Sequence, residues 1–327
     1  MSQCCPKNTC RQRRSQGPTK VIGHGWFPVR HGRRRRYRCL GCGGTFSRRS
    51  DTAYYRFRCS RRTFDRVSHL AVEGMSRAAI ARVEGIGWNT IDRWLRRAAE
   101  YAQRFNHERT GAIELFELQA DEIRTFAQRK AWPTWVFTSM EVCSRLWVST
   151  VVGRRSYRNT HALLNDTLAR GIIVGIPLIA TDGFKLYAQV IGQLFGAACI
   201  YGQVVKTWRK DRVTRVERRA VIETWRRLDA ALECSEDSVK LNTAYTERLN
   251  LTLRRSVSYL ARRTPGHARC TGRLATQLEF ARCHYNWMRP HAGLRFGHET
   301  RTPAMVAGLS ARMLSFPDIF APATTNS

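Results

Sequence analysis

Three acidic residues lie in sequence settings that could bring them together around metal ions. Asp121 follows the strand-like run IELFELQA, and Asp182 follows the apolar run IIVGIPLIAT. Glu247 lies in the helix-like segment NTAYTERLNLTLRR, which is rich in Asn and Arg. Carboxylate oxygens are the ligands that Mg²⁺ prefers, and a substrate phosphate can complete its coordination shell. Three such carboxylates in one pocket would predict metal-dependent phosphodiester chemistry.

The third carboxylate has to be chosen among several acids. Glu247 is favoured because, on a helix, Asn250 and Arg254 share its face at spacings of three and seven residues. An amide and a guanidinium beside an acid could hold a scissile phosphate, and Arg248 adds positive charge. The competing candidates for the third acid are Glu217, Glu223, Glu233, Glu236 and Asp237.

The elements that must position these acids are predicted as alternating strands and helices. IELFELQAD predicts a strand that ends at Asp121, and TWVFTSMEV and RLWVSTVV predict the next two strands of a meander. Glu122 should face away from Asp121, because side chains alternate along a strand. After a helix in NTHALLNDTLARG, the run IIVGIPLIAT predicts a strand covered on both faces, with Asp182 at the end where α/β sheets bind ligands. Residues 188–240 have no clear assignment and could form a partly helical insertion.

The charge balance indicates the partner. Lys and Arg outnumber Asp and Glu by 56 to 25, which gives a formal net charge of +31. So large an excess, mostly of Arg, predicts nucleic acid as the partner, with a merely solvated basic surface as the alternative. We expect neither a membrane span nor secretion, because no long apolar run and no apolar signal core occur. Reduced, metal-binding cysteines are therefore expected rather than disulfides.

Two short-spaced cysteine pairs near the N-terminus predict a zinc site. Cys5 and Cys10 form the first pair, and Cys39 and Cys42 form the second, in CLGCGG. Zinc favours four thiolates in a tetrahedron, and each pair on a tight turn can supply two of them. Other residues that could serve as ligands are Cys4, in place of Cys5, and the histidines His24 and His31.

Two basic surfaces are candidates for DNA contact. The first is a run of four arginines, which a solvated run would also explain: Arg33, Arg34, Arg35 and Arg36. The second is a helix pair joined by a turn containing Gly85 and Gly87. Ser76 should cap the first helix, which buries Ala79, Ile80 and Val83, and Asn89 should cap the second, which buries Ile91, Trp94 and Leu95. An ordinary packed hairpin is the alternative to DNA contact by the second helix through Asn89, Thr90, Arg93, Arg96 and Arg97.

Together these pieces resemble the transposases of the first-described insertion-sequence family, and more broadly the ribonuclease H-like DDE transposases. The matching segments cover most of residues 5–309 in the family's order: CPKNTC, RYRCLGCGGTFS, GWNTIDRWLRR, QADEIRTF, IATDGFKLY, YGQVVKTW, YTERLNLTLRRSVSYLARRT, HYNWMRPHAGL and TPAMVAGL. The resemblance implies a multidomain chain. We expect a small zinc ribbon at 1–60, an all-α helix-turn-helix domain at 61–106, an α/β ribonuclease H-like catalytic domain with a mixed sheet at 107–310, and a flexible tail at 311–327.

The resemblance also implies an activity. A DDE transposase uses metal-activated water to cut at the ends of an insertion element, and the freed 3′-hydroxyl then attacks target DNA. The implied cofactors are two Mg²⁺ or Mn²⁺ ions on Asp121, Asp182 and Glu247, and one structural Zn²⁺ on Cys5, Cys10, Cys39 and Cys42. The implied partners are double-stranded DNA, as terminal inverted repeats and target, and further copies of the chain in a synaptic complex.

The expected location is the cytoplasm of a prokaryote, in association with the nucleoid. The alternative function is a non-catalytic DNA-binding regulator derived from a transposase, which would use residues 1–105 and leave the later carboxylates without a role.

Overall fold

The computed structural model describes residues 5–7, 9–11, 20–29, 32–57, 59–210, 212–262, 264 and 266–321. The chain divides into two compact units, one formed by Met1–His69 and Leu314–Ser327 and the other by Leu70–Met313. The predicted division into four parts stays a prediction. Among the described helices, none combines the length and the apolar character that a membrane crossing requires.

The first unit contains a small antiparallel sheet. Strands β1 (Val21–Val29), β2 (Gly32–Cys39) and β3 (Thr45–Phe46) pair in the order β1-β2-β3. The buried residues packed together here are Cys5, Cys10, Tyr37, Cys39 and Phe46. This core has only five buried residues, and three of them are cysteines. Burial of apolar surface alone is therefore too small to stabilise it. Helix α1 (Arg61–Val72) follows the sheet.

The second unit alternates helices and strands. It opens with helices α2 (Arg77–Glu84) and α3 (Trp88–Arg109), followed by strands β4 (Ile113–Phe126), β5 (Pro133–Glu141) and β6 (Leu146–Gly153). Next come α4 (Tyr157–Arg170), β7 (Gly171–Asp182), α5 (Lys185–Leu194), β8 (Ile200–Arg209) and β9 (Arg212–Ile222). The unit ends with α6 (Trp225–Glu233), α7 (Ala244–Ser256), α8 (Thr271–Trp287), a ribbon of β10 (Arg295–Phe296) and β11 (Glu299–Thr300), and α9 (Pro303–Val306).

One mixed sheet of six strands organises the second unit, in the order β6-β5-β4-β7-β8-β9. Strands β4, β7 and β8 are parallel, and the other neighbours pair antiparallel. The predicted α/β class with a mixed sheet is confirmed, as are the β4–β5–β6 meander and helix α4. The prediction that the first strand ends at Asp121 is wrong: β4 continues to Phe126, because β5 pairs with it as far as Phe126↔Pro133.

Helices cover both faces of this sheet. On one face Phe137 of β5 packs in a core with Tyr187 and Val190 of α5. On the other face Trp147 of β6 packs with Leu249 of α7 and with residues of α8. These two layers pack against β4, and one of them also packs against β7, so both strands are held between or beside helices near the residues that carry the acids.

Strand β7 is covered on both faces only in its second half. Leu178, Ile179 and Ala180 are buried. The expectation of a fully covered strand is wrong for the first half, where Ile172, Ile173, Val174 and Ile176 are exposed. The reason is that pairing with β8 begins only at Leu178↔Ile200, so the earlier residues have a neighbour strand on the β4 side alone.

The helix pair α2–α3 begins the second unit. Ser76 caps α2 by accepting a 3.2 Å hydrogen bond from the Ala79 N–H, and Gly85 ends it with φ at 63°. The expected cap at Asn89 is wrong, because α3 already begins at Trp88 with Gly87 as its N-cap. The expected burial of Val83 is also wrong, since 63% of this residue is exposed at the end of the short helix.

The second helix of this pair is longer than its sequence pattern suggested. Its predicted inward residues Ile91, Trp94 and Leu95 are buried as expected. Its C-terminal half packs on α8, where the rings of Phe105 and Trp287 meet edge to face with centroids 5.1 Å apart. The predicted domain boundary at residue 106 therefore lies inside a continuous helix.

The segment predicted as a flexible tail contains helix α10 (Phe316–Phe320) of the first unit. Ser315 and Asp318 form a capping box at its start. Phe320 is fully buried, packs edge to face against Phe64 with centroids 5.2 Å apart, and accepts a hydrogen bond from the Ala53 N–H. The tail prediction is wrong for this helix because its apolar residues recur at helical spacing. Residues 322–327 lie outside the described residues.

Candidate functional site

The first two predicted acids meet at one edge of the sheet. The last parallel pair between β4 and β7 is Ala120↔Thr181, so Asp121 and Asp182 are the next residues on adjacent strands. Asp182 itself pairs with Val204 of β8. This parallel register places both carboxylates at the carboxyl end of β7, where α/β sheets bind ligands.

Glu122 is the third acid in this group. One carboxylate oxygen from each of Asp121, Glu122 and Asp182 lies within 4.8 Å of the others. Glu122 was expected to face away from Asp121, and the two residues do have different hydrogen-bond partners. Their carboxylates nevertheless lie close together. Asp121 bonds with Asn250 on one face of the sheet and Glu122 bonds with Arg155. Pairing with β7 has ended at this point, and the longer Glu side chain brings its carboxylate within 4.8 Å of those of Asp121 and Asp182.

Arg155 neutralises part of this cluster, which we call the acidic cluster (Asp121, Glu122 and Asp182). Its Nε donates a 2.6 Å hydrogen bond to Glu122 Oε1, and its Nη2 lies 3.6 Å from Asp182 Oδ2. The guanidinium stacks over the Phe184 ring, with its carbon 3.9 Å from the ring centroid. Sequence reasoning missed Arg155, because its only sequence signal is a position shortly after the end of β6.

Burial raises the pKa values of all three acids, and the Asp182 charge raises those of Asp121 and Glu122 further. Burial and then the Asp182 charge raise the pKa of Asp121 to about 7, with smaller contributions from Glu122 and Glu247, although the Glu122 N–H opposes the shift. Burial and then Asp182 raise the pKa of Glu122 to about 7, against the influence of Arg155. Burial also raises the pKa of Asp182. So much negative charge in a buried place favours either protonation or a bound cation.

Glu247 lies near this cluster but outside the group within 4.8 Å. It is in the first turn of α7, where its Oε1 accepts a 2.7 Å hydrogen bond from Thr243 Oγ1 and pairs with the ammonium of Lys206. Its side chain is 47% exposed. The structure thus brings Asp121 and Asp182 together at the separation of metal ligands, whereas Glu247 faces a lysine that sequence reasoning missed.

Helix α7 is fixed to the central strand by two side-chain contacts. Gln119, fully buried on β4, accepts hydrogen bonds of 3.1 and 3.2 Å from the N–H groups of Tyr245 and Thr246. Asn250 donates one of 2.7 Å to Asp121. The two bonds to Gln119 satisfy N–H groups that the start of a helix leaves free.

The remaining residues predicted on this helix face solvent to different degrees. Arg248 is exposed and Arg254 is partly buried. Burial and then Arg262 lower the pKa of Arg254. An anion such as phosphate beside Arg254 and Arg262 would offset the repulsion between these two arginines.

The acidic cluster has the donor chemistry that Mg²⁺ or Mn²⁺ requires. All its ligand atoms are hard carboxylate oxygens. Oε2 of Glu122 is buried and meets no hydrogen-bond donor in good geometry among the described residues, although the Tyr187 hydroxyl is close enough to oppose the rise in the pKa of Glu122. An orphaned oxygen in so dry a place is costly unless a cation or a proton satisfies it. The residues present therefore fit a divalent metal.

Four cysteines converge in the first unit. The Sγ atoms of Cys5, Cys10, Cys39 and Cys42 lie within 4.8 Å of one another, with 3.6 Å from Cys5 to Cys42 and 3.6 Å from Cys10 to Cys39. Thiolates about 2.3 Å from a tetrahedral zinc ion lie about 3.8 Å apart, so the cluster could hold one. Burial raises the pKa of Cys5 to about 12 against a backbone hydrogen bond from Lys7. A metal would overcome this protonation.

One alternative zinc ligand, His24, lies outside the group of four thiols. It lies on β1 and is exposed. Cys4 and His31 lie outside the described residues. Cys5 thus supplies the fourth thiol of the group that the structure describes.

The four-arginine run forms part of β2. Alternation places Arg34 and Arg36 together, and both line a cleft of about 720 Å³ in the first unit. Arg49 and Arg56 also line this cleft, next to aromatic rings, and its described lining contains no acid. Burial and then Arg34 and Arg61 lower the pKa of Arg49. Arg33 and Arg35 are exposed on the same strand. This arrangement is suited to anions.

The DNA-contact candidates at the start of α3 differ in exposure. Asn89, Arg93 and Arg96 are exposed, and Thr90 and Arg97 are partly buried. Arg96 is partly fixed, because its Nε lies 3.2 Å from the buried carboxylate of Asp92. Asp92 also pairs with Arg77 at 3.0 Å. Sequence reasoning missed this buried acid, which orients one of the predicted contacts.

Comparison with known proteins adds no family assignment. No protein-family model matches the chain, and no curated protein matches it at a significant level. Its function has to be inferred from the site itself.

Proposed function

We propose that the chain is a DDE transposase, which cuts DNA at the ends of an insertion element and joins the freed 3′-hydroxyl ends to target DNA. The observation that carries this proposal is the acidic cluster at the carboxyl end of β7, within a chain of net charge +31. Hard-oxygen metal ligands on a strongly basic protein suit phosphodiester chemistry better than any other reaction class. The mixed sheet is consistent with the ribonuclease H-like fold that the resemblance implies.

Asp121 and Asp182 would hold the metal, with Glu247 as the third ligand. Two divalent cations bound there would activate the attacking oxygen and stabilise the leaving oxygen. Glu247 would have to exchange the ammonium of Lys206 for a cation. Glu122 is already within ligand distance and is a further candidate.

The surrounding side chains would orient the acids and the DNA. Asn250 fixes Asp121, and Arg155 holds Glu122 while it shields Asp182. Arg248 and Arg254 on α7 would contact phosphates. In this proposal the zinc ribbon, built on the four thiols, and the helix-turn-helix of α2 and α3 recognise the terminal repeats. Two DNA ends must be held together, so several copies of the chain would assemble on them.

A cleavage assay tests this proposal. Purified protein is incubated with Mg²⁺ and DNA that carries the ends of its own element, and Asp182→Asn is compared with wild type. Asp229→Asn is a matched control, because Asp229 is exposed on α6, away from the acidic cluster. We expect cutting and joining by wild type and by the control, and a loss of at least 100-fold in Asp182→Asn, on the order of what a group that stabilises the transition state contributes.

Two outcomes would count against this function. Cutting by Asp182→Asn at the wild-type rate would remove Asp182 from the active site. Binding of the ends without any cutting by wild type would favour a non-catalytic regulator that uses the same DNA-binding elements.

A further inference from the structure

The hairpin of β8 and β9 extends past the edge of the sheet where the acids lie. Pairing between β7 and β8 runs from Leu178↔Ile200 to Asp182↔Val204 and stops there. Residues 205–209 of β8 continue, with β9 as their paired strand among those described. Five extended residues at about 3.3 Å each project about 17 Å. Since β7 and β8 are parallel, this arm (residues 205–210 and 212–217) leaves the sheet on the same side as Asp182.

The arm is strongly basic and exposed. It carries five basic residues against two acids, Glu217 and Asp211, and Asp211 lies outside the described residues. Arg209, Lys210 and Arg212 at its tip are exposed. Even its apolar residues are exposed, at 42% for Val213 and 44% for Val216. These side chains are therefore not packed under another element. Lys206 at its base pairs with Glu247, which joins the arm to helix α7.

The register of the arm places two like charges side by side. Arg209 and Arg212 are directly opposite each other in the ladder. Like charges in directly opposed positions destabilise a hairpin. Charged residues can also protect an edge strand from aggregation, but that role needs no charge repulsion across the tip and no extension beyond the sheet. An anion between the two guanidiniums would offset this cost.

We propose that the arm binds the phosphate backbone of double-stranded DNA and holds the duplex beside the acidic cluster. This inference rests on the proposed function, because it takes DNA as the substrate. Planar guanidinium groups bind phosphate oxygens in pairs, and such contacts position a duplex without reading its sequence. The arm thus positions the strand to be cut, and sequence recognition belongs to other elements.

The test is a binding titration in which the salt concentration is varied. A fluorescent duplex of arbitrary sequence is titrated with the full chain, without divalent metal, at several KCl concentrations. Arg209→Gln/Arg212→Gln should bind more weakly, and the slope of log K against log salt should become shallower by up to about 1.8, at about 0.9 per lost phosphate contact. Because removal of like charges relieves repulsion, this variant should unfold at a temperature no lower than wild type.

The control removes the same charge at the opposite edge of the sheet. Arg104 and Arg109 lie in the last turns of α3, which leads into the start of β4, whereas Asp182 lies at the end of β7. Arg104→Gln/Arg109→Gln should keep the wild-type slope, and Arg209→Lys/Arg212→Lys should regain most of it. An unchanged slope in Arg209→Gln/Arg212→Gln, or an equal loss in the control, would overturn the inference.

The result is separable from the proposed function. The arm variant is scored by binding, whereas Asp182→Asn is scored by cutting. If the arm variant shows a weaker salt dependence but wild type does not cut, the arm contacts DNA and the proposed transposase function is wrong. If the arm variant binds normally and cutting requires Asp182, the transposase function stands and the proposed role of the arm is wrong.

Discussion

Asn250 donates a 2.7 Å hydrogen bond from its Nδ2 to Oδ2 of Asp121. This bond ties helix α7 to the central strand at the residue that carries the first predicted acid. The other oxygen of Asp121 accepts a 2.7 Å hydrogen bond from the Glu122 N–H, so both oxygens have fixed directions. Glu247 precedes Asn250 by about one helical turn, and its place near the cluster follows from the same bond.

The start of α7 should depend on Gln119. Gln119→Leu would leave the N–H groups of Tyr245 and Thr246 without their acceptor, in a fully buried place. We expect a loss of about 1–3 kcal/mol in the free energy of unfolding and lower metal affinity, because α7 would shift. Urea denaturation measures the first effect. Gln103→Leu, on the exposed side of α3, should change stability by less than about 0.5 kcal/mol. Equal stability of the two variants would contradict this role.

The sequence predicts those parts of the site that follow from local pattern. Asp182 was found because a long apolar run ends in a polar residue, and Asn250 because helical spacing places it near Glu247. Glu122 could not be found, because alternation gives the direction of its Cβ and not the reach of its side chain. Arg155 and Lys206 reach the acids from elements that are distant along the chain. The pattern KTWRKDRVTRVERR gave no strand prediction, because strands with little buried face show no apolar alternation.

The raised carboxyl pKa values predict how stability changes with pH in the absence of metal. The pKa values of Asp121 and Glu122 are about 7 in the folded chain and lie near their usual range of about 4 in the unfolded chain. The folded state therefore binds more protons between these values, and the free energy of unfolding should fall as pH rises from about 4 to about 7.

Unfolding by urea across this pH range, with a chelator, measures that effect. Glu122→Gln should flatten the dependence, because it removes one of the two groups. Mg²⁺ should raise stability most at the upper end of the range, where the carboxylates are charged. A metal-free protein that becomes more stable with rising pH by the same amount in wild type and in Glu122→Gln would show that these acids are not coupled as described.

Removal of Lys206 should free Glu247 for metal. The ammonium of Lys206 pairs with Glu247 and opposes the rise that burial causes in the pKa of Asp182, so it occupies part of the electrostatic role of a cation. Lys206→Gln should bind Mn²⁺ several-fold more tightly, measured by calorimetry without DNA. Lys240→Gln removes the same charge from an exposed position and should leave the affinity unchanged. Weaker Mn²⁺ binding by Lys206→Gln would mean that Lys206 supports the metal site and does not compete with it.

The four thiols should hold zinc as part of the core of the first unit. Cys39 is fully buried among Cys5, Cys10, Tyr37 and Phe46. Cys39→Ser should lose bound zinc, measured by elemental analysis of the purified chain, and should expose this small core to proteolysis, because metal binding and folding are coupled in sites of this kind. Cys143→Ser is the matched control, since Cys143 is an exposed thiol outside the group of four. Full zinc content in Cys39→Ser would show that Cys39 is not a zinc ligand. Loss of zinc together with an unchanged protease pattern would separate metal binding from the stability of the sheet.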